Sequence, residues 1–341
     1  MCYSKSMKKR IMCAMCAILM ITLCACGTVK PASASFEAMD TLMTLSVYGG
    51  ESDGLDKLKE KIETLDSLLD STDENSEIYR LNRDKTAKLS EDTAGLLNRS
   101  VQLAESTDGS FDPTVYPAVL AWGFTTGDHR VPYDAELKKL ADNIDYRSIK
   151  ISDDTADLPD DVMLDLGAVA KGYAADKCAE FLQESNAQGA VLNLGGTILL
   201  YGSKPDGNRY KVGIADPDDP AGYFGYLESD GGVIATSGGY ERYFDMDGKR
   251  YIHILDPMTA APVNNGVLSV TICCDSGTDA DALSTALFVM GADKAVDYYR
   301  SHGGFEYIIL TDGGELYITE GIYDDFTLSD GFDFTLNKVS R

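Results

Sequence analysis

The sequence predicts an α+β fold built mainly on antiparallel sheets. From Ala190 onward, short strand-like apolar runs dominate. Two of them flank Met246-Asp247-Gly248-Lys249, whose Asp-Gly pair is a strong hairpin signal. Helical stretches are interspersed without the regular strand–helix alternation of a parallel sheet.

The elements follow in order. Phe36 to Tyr48 alternates as a strand. Leu58, Ile62, Leu65 and Leu69 recur at helical spacing and place a helix over Leu55 to Leu69. Glu91 to Ala104 reads as a second helix, and Phe111 to Phe124 as irregular, broken by Pro113 and Pro117. Lys171 to Glu184 is helical, with the stripe Ala174, Cys178, Phe181, Leu182. Strands are expected at Ala190 to Leu192, Ile198 to Tyr201, Tyr210 to Ile214, Gly232 to Thr236, Arg242 to Asp245 and Arg250 to Leu255. A strand over Val267 to Cys274 leads into helices Ala280 to Met290 and Ala292 to His302. Strands Tyr307 to Leu310 and Glu315 to Ile318 close the chain. No repeat, low-complexity block or Pro-rich linker divides it, so it forms one large domain or two.

The N-terminus reads as an address. Lys8-Lys9-Arg10 precedes an apolar run, Ile11 to Leu23, too short for a comfortable membrane span. Leu23-Cys24-Ala25-Cys26-Gly27 resembles a bacterial lipobox, in which the cysteine thiol takes a diacylglyceryl group. Residues 1–25 are then a lipoprotein signal peptide, Cys26 the lipidated residue and residues 26–35 a tether. The expected location is the cell membrane, anchored by lipid on its outer face. An ordinary signal peptide with a chance cysteine is the alternative. Cys2, Cys13, Cys16 and Cys24 go with the leader, so Cys178, Cys273 and Cys274 remain, which is not a disulfide scaffold. Outside the leader, where Cys13 and Cys16 stand three apart, no Cys-x-x-Cys or His-Glu-x-x-His spacing occurs, which argues against a zinc enzyme.

The chain carries 30 basic and 55 acidic residues, net −25. Losing Lys5, Lys8, Lys9 and Arg10 with the leader leaves net −29. Such a surface repels nucleic acid and anionic headgroups. A phosphate-bearing ligand would need local cations.

Four short motifs carry chemistry. Asp281 and Thr285 stand four residues apart in a predicted helix and share a face. Two hard oxygens there suit Mg²⁺, which keeps positions open for substrate phosphates; a solvated helix face is the plainer alternative. Met163 to Asp176 delivers Asp165 from a strand end, turns at Gly167 and starts a helix near Lys171-Gly172. Helix N-terminal N–H groups with Lys171 would make an anion cradle, though the stretch matches neither P-loop nor GxGxxG. His253 alternates with apolar residues before Asp256-Pro257 and can act as acid or base near neutrality, or be a core histidine bonded to backbone. Trp122, the chain's only Trp, stands with Gly123 and Phe124 and could clamp a flat ring or fill core. His129 and His302 lie in polar segments and read as surface residues.

Taken in order, these pieces resemble the ApbE family of FAD:protein FMN transferases. The matching stretches are Ala38-Met39-Asp40-Thr41, Phe111-Asp112-Pro113-Thr114, Trp122-Gly123-Phe124, Asp165 through Tyr173, Asn193-Leu194-Gly195-Gly196, Ala235-Thr236-Ser237-Gly238, His253 through Pro257, and Ala280 through Leu287. The resemblance implies a T-fold-related α+β domain over residues 36–341. It implies FAD as substrate, Mg²⁺ as cofactor, a Thr or Ser hydroxyl of an extracytoplasmic acceptor flavoprotein as FMN recipient, and AMP as product. By motif position Met39, Trp122, Gly123, Phe124, Asp165, Lys171 and Leu255 would contact FAD. The Ala168 carbonyl, Asp281 and Thr285 would hold Mg²⁺, with Ser284 at a further metal position, and His253 and Asp281 would be catalytic. Two positions depart from the family pattern: Asp40 stands where its Met-Gly-Thr has Gly, and Ala260 where Gly usually follows Asp-Pro-x-Thr. An FAD pyrophosphatase and a non-catalytic FAD-binding lipoprotein are the competing expectations. The chain holds no Ser/Thr-Gly-Ala-Thr acceptor sequence of its own.

Overall fold

The computed structural model describes residues 30–341 apart from residues 52 and 220. The leader and Cys26 lie outside the described residues. The expected α+β class holds. One nine-stranded sheet organises the molecule: β1 (Ala32–Ala38), β2 (Thr41–Gly49), β3 (Ala187–Asn193), β4 (Thr197–Gly202), β5 (Gly232–Gly238), β6 (Val267–Cys274), β7 (Phe305–Thr311), β8 (Glu315–Thr319) and β9 (Thr335–Val339). The strands lie side by side in chain order. Every neighbouring pair is antiparallel except β8 and β9.

The described helices are α1 (Gly54–Leu69), α2 (Glu77–Asp84), α3 (Glu91–Ser106), α4 (Tyr116–Trp122), α5 (Asp134–Asn143), α6 (Gly167–Glu184), α7 (Gly277–Met290) and α8 (Ala292–Ser301). The first six fall between β2 and β3; α7 and α8 fall between β6 and β7. Alternation along the strands sorts the two faces. Val233 and Ala235 of β5 join the core made with α1, α6 and α7, whereas Ile234 faces a second core. That second core lies against a small sheet of Phe326–Leu328, Tyr223–Ser229 and Tyr210–Ala215. Cys273 packs with the second core and Cys274 with the first, one on each side as the strand pattern requires.

Several boundaries differ from the sequence expectation. Phe36 to Tyr48 is not one strand but part of a hairpin, reversed at Met39 and Asp40, both with left-handed φ. The alternation runs through the turn, and neither residue type signals it. β1 begins at Ala32, so residues 32–35, expected in the tether, belong to the sheet edge. The stretch expected to be irregular contains α4, because Pro117 sits in its first turn, where no helical hydrogen bond is lost. α6 starts at Gly167, one turn earlier than expected. Helices α2 and α5 were not anticipated; α5 buries no residue and so has no strong apolar stripe to read.

Candidate active site

A cavity of about 1100 Å³ opens where the sheet, α6 and α7 meet. Its walls come from the β1–β2 turn, the end of α1, residues between Ser110 and Thr126, the first two turns of α6, the β3–β4 turn, the end of β5, the segment His253 to Leu255, and the middle of α7 from Asp281 to Thr285. Motifs spread from residue 39 to residue 285 therefore converge.

Two glycines bring the helices together. A Cβ on Gly172 would lie 2.0 Å from the Gly277 carbonyl oxygen, and one on Gly277 2.3 Å from that of Gly172. Only glycine permits this backbone contact between α6 and α7. Asp176 fastens the crossing: its carboxylate accepts from the Gly277 and Thr278 N–H groups at 2.6 and 2.9 Å. This anchoring role was not anticipated from the sequence.

The close approach lets Asp281 reach α6. Its Oδ2 accepts from the Gly172 N–H at 2.6 Å and its Oδ1 from the Thr197 hydroxyl at 2.5 Å. The Gly172 N–H is the one that helical spacing would send to the Ala168 carbonyl. Asp281 is only 6% exposed, so the solvated-face alternative falls. Burial raises its pKa, and the Lys171 ammonium opposes that shift. Both of its hydrogen-bond partners are neutral, so the ionised form lacks a contacting counter-ion among the described residues. Beside it Ser237 Oγ lies 2.7 Å from Ser284 Oγ and 3.3 Å from Thr285 Oγ1. Ser284 also donates to the Asp281 carbonyl at 2.8 Å. No three His, Cys, Asp or Glu side chains converge as a metal cluster among the described residues. A cation here would use one carboxylate, hydroxyls and the Ala168 carbonyl, a donor set for a hard ion.

Lys171 lines the same cavity and makes no ion pair with the described carboxylates. It stands in the second turn of α6, not at the helix start as the sequence suggested. Asp165 occupies the start: its Oδ1 accepts from the Gly167 N–H at 2.8 Å, taking one of the free N–H groups expected to cradle an anion. Burial raises the Asp165 pKa, with Arg242 and Lys171 pulling the other way. Glu241 and Arg242, which sequence reasoning missed, also face the cavity. Burial lifts Glu241 as well, against the pull of Lys171. The only sequence signal for the pair was its place just after the Ala235-Thr236-Ser237-Gly238 stretch.

His253 follows the strand Lys249–Ile252, and both its backbone N–H and its Nδ1 meet the Arg242 carbonyl, at 3.0 and 3.1 Å. A carbonyl only accepts, so Nδ1 carries the proton and Nε2 keeps its lone pair. The imidazole keeps some surface open to the cavity, yet the surrounding walls strip its water. Desolvation, aided by the Arg242 and Lys171 charges, lowers its pKa to about 4.

The aromatic side needs correction. Trp122 is 2% exposed and is not on the cavity wall. Its Nε1 donates to the Ala260 carbonyl at 2.8 Å, and its ring packs near Tyr251 and Phe244. Gly123 caps α4 in a left-handed conformation against the Asp128 backbone and also stays off the wall. An indole is large and apolar enough that core packing satisfies it. Phe124, Leu255 and Met39 do line the cavity. Both departures from the family pattern fall on left-handed backbone, Asp40 at φ 58° and Ala260 at φ 54°. The turns are kept although glycine is not.

The model of the ApbE family matches residues 39–309. The FAD:protein FMN transferase of Salmonella typhimurium is 30% identical over 306 residues, 84% of this chain and 87% of that protein. The Treponema pallidum FAD:protein FMN transferase is 34% identical over 249 residues, 67% of this chain and 68% of its own. Among solved structures, the ApbE protein of Thermotoga maritima superposes with a TM-score of 0.80 at 31% identity, covering 86% of this chain and 98% of that one. The flavin transferase ApbE of Vibrio cholerae gives 0.74 at 27% identity, covering 89% and 98%.

Proposed function

Because the chain belongs to the ApbE family of flavin transferases, we propose that it moves FMN from FAD to a Thr or Ser hydroxyl of an acceptor protein, with Mg²⁺ bound and AMP released. The observation that carries the metal is Asp281. A buried carboxylate with only neutral partners, beside Thr285 and the Ala168 carbonyl, suits a divalent cation. Bound there, Mg²⁺ would neutralise charge on the pyrophosphate.

The chain's own residues supply the rest. Lys171 offers an ammonium free of carboxylate partners to a phosphate that the net surface charge does not attract. Phe124, Leu255 and Met39 give the flavin ring apolar wall. The acceptor oxygen bonds to the FMN phosphorus as the bond from that phosphorus to the AMP-side oxygen breaks. The hydroxyl proton passes to His253 Nε2, the ring nitrogen not engaged by the Arg242 carbonyl. A pKa of about 4 makes the free imidazole a weak base, and the arriving pyrophosphate charge raises it. Lipidation of Cys26 would hold the enzyme on the outer face of the membrane, where an extracytoplasmic acceptor could reach it.

The test is incubation with FAD, Mg²⁺ and a Thr-bearing acceptor, followed by denaturing gel fluorescence and mass measurement. A covalent gain of one FMN, abolished by EDTA and restored by Mg²⁺, is expected. Transfer at full rate in excess EDTA would end the metal assignment. FMN and AMP formed with no labelled acceptor would mark a hydrolase instead.

A further inference from the structure

Among the described residues, Lys171 and Arg242 are the only lysine or arginine on the cavity wall. Asp66, Asp70, Asp165, Glu241 and Asp281 share that wall, and the chain as a whole is net −25. A pyrophosphate entering such a field needs every cation it can reach. Lys171 is free to meet it. Arg242 is engaged: its Nη2 lies 3.5 Å from Asp40 Oδ2, and among the described residues Asp40 is its only ion-pair partner.

The pair joins a fixed base to a loose end. The Arg242 carbonyl accepts from the N–H and the Nδ1–H of His253 at 3.0 and 3.1 Å, which pins its backbone beside the proposed base. The two side chains, in contrast, are 53% and 83% exposed, and an exposed pair at 3.5 Å is weak. A phosphate offers a guanidinium shorter, bidentate, charge-assisted contacts and would displace the carboxylate. The turn itself does not require Asp40. Its φ of 58° suits glycine, which has no side chain. The only side-chain hydrogen bond of Asp40 among the described residues is the one from Arg242.

The guanidinium charge also bears on the inner wall. Burial raises Asp165 and Glu241 and lowers His253; on all three the charges of Arg242 and Lys171 act together, holding the carboxyls down and pushing the imidazole lower. Two cations thus face one volume.

We propose that Arg242 is a second pyrophosphate-binding group, which leaves Asp40 for the FAD phosphates, and that Asp40 sets nucleotide affinity by competing for it. The inference rests on the flavin-transferase reading and adds how the charge of the nucleotide is recognised and released.

The experiment measures Kd for FAD and for riboflavin, which lacks phosphate, by rapid-mixing flavin fluorescence with Mg²⁺ and no acceptor. Arg242→Gln should weaken FAD by about tenfold, the scale of one hydrogen bond to a charged group, and leave riboflavin unchanged. Arg242→Lys keeps the charge without the fork and should recover part of that loss. Asp40→Asn keeps the left-handed turn, which Asn tolerates, and should tighten FAD by about threefold. In the Arg242→Gln background the same Asp40→Asn change should do less, because there is no guanidinium to release. Unchanged FAD affinity in Arg242→Gln, or equal weakening of riboflavin, overturns the phosphate contact. Weaker FAD binding in Asp40→Asn, or an equal gain in both backgrounds, overturns the competition. An unaltered chain that binds FAD no more tightly than riboflavin overturns the FAD reading and this proposal together.

Discussion

Two walls of the same cavity were addressed by sequence motifs of unequal reliability. On the helical wall Asp165, Ala168, Lys171, Asp281 and Thr285 all reach the cavity. On the aromatic wall Phe124 and Leu255 reach it, and Trp122 does not. The difference is physical. A carboxylate in a helix of small apolar residues cannot be satisfied by packing, so its presence reports a specific set of partners. An indole in an irregular segment is satisfied by packing and one carbonyl, so its presence reports little.

The sharpest way to break this contrast is to remove one residue from each wall. Asp281→Ala should lower FMN transfer by at least roughly 10²-fold, as for other single electrostatic contacts. It should also lower stability by about 2–4 kcal/mol, because the Gly172 N–H and Thr197 hydroxyl are left buried without acceptors. Asp281→Asn keeps an acceptor and separates the two effects: kinetics should fall while chemical denaturation changes less. Trp122→Phe should cost about 1–3 kcal/mol in stability through the lost Ala260 hydrogen bond and volume, and leave KM for FAD in place. Phe124→Ala should raise that KM. A catalytic collapse in Trp122→Phe with unchanged melting would reverse the assignment of the walls.

Titration sharpens the contrast further. The folded pKa of Asp281 lies above its unfolded value. Between the two, the folded state holds more protons, so this group makes stability fall as pH rises from about 4. In metal-free protein the melting temperature of the unaltered chain should drop relative to Asp281→Asn across that window. Added Mg²⁺ should close the gap; parallel melting profiles would remove the case for an uncompensated buried charge. His253 shifts the other way. Its lowered pKa means that stability present above pH 6.5 is lost as pH falls toward 4. An NMR titration of its ring should show a midpoint of about 4 in the free protein; one near 6.5 would mean that the ring is well hydrated.

The smallest effects belong to the left-handed turns. Asp40→Gly should stabilise by up to about 1 kcal/mol, since only glycine adopts that backbone without cost. Ala260→Gly should come out near neutral, because relief of φ strain is offset by the lost burial of a methyl worth about 0.8 kcal/mol. Differential scanning calorimetry resolves the two; equal gains would mean that the Ala260 methyl fills no space.

Much of the fold was legible where periodicity is long. Leu55 to Leu69, Glu91 to Ala104 and Val267 to Cys274 stand nearly as read, because each has a buried stripe or run. What was hidden lacked such a signal: a hairpin turn made by Met39 and Asp40, a helix tolerating Pro117, and α5 with nothing buried. At the site, residues with unavoidable polar demands were readable, whereas Glu241, Arg242 and Asp176 were not, since charged residues beside turns have ordinary surface roles elsewhere.

The sheet lays its strands down in chain order, yet residues 50–186 separate β2 from its neighbour β3. The β1–β2 hairpin is local; its seat beside β3 requires closure of a long loop, and non-local pairings of that kind are slow. Met39 to Thr41, at the tip of this hairpin, complete one cavity wall, while Asp281 and Thr285 arrive from the far side of the chain. FAD binding should therefore report this long-range closure. In refolding, recovery of FAD binding should trail recovery of helical signal, and a chain halted before β3 seats the hairpin would carry its helices but no site.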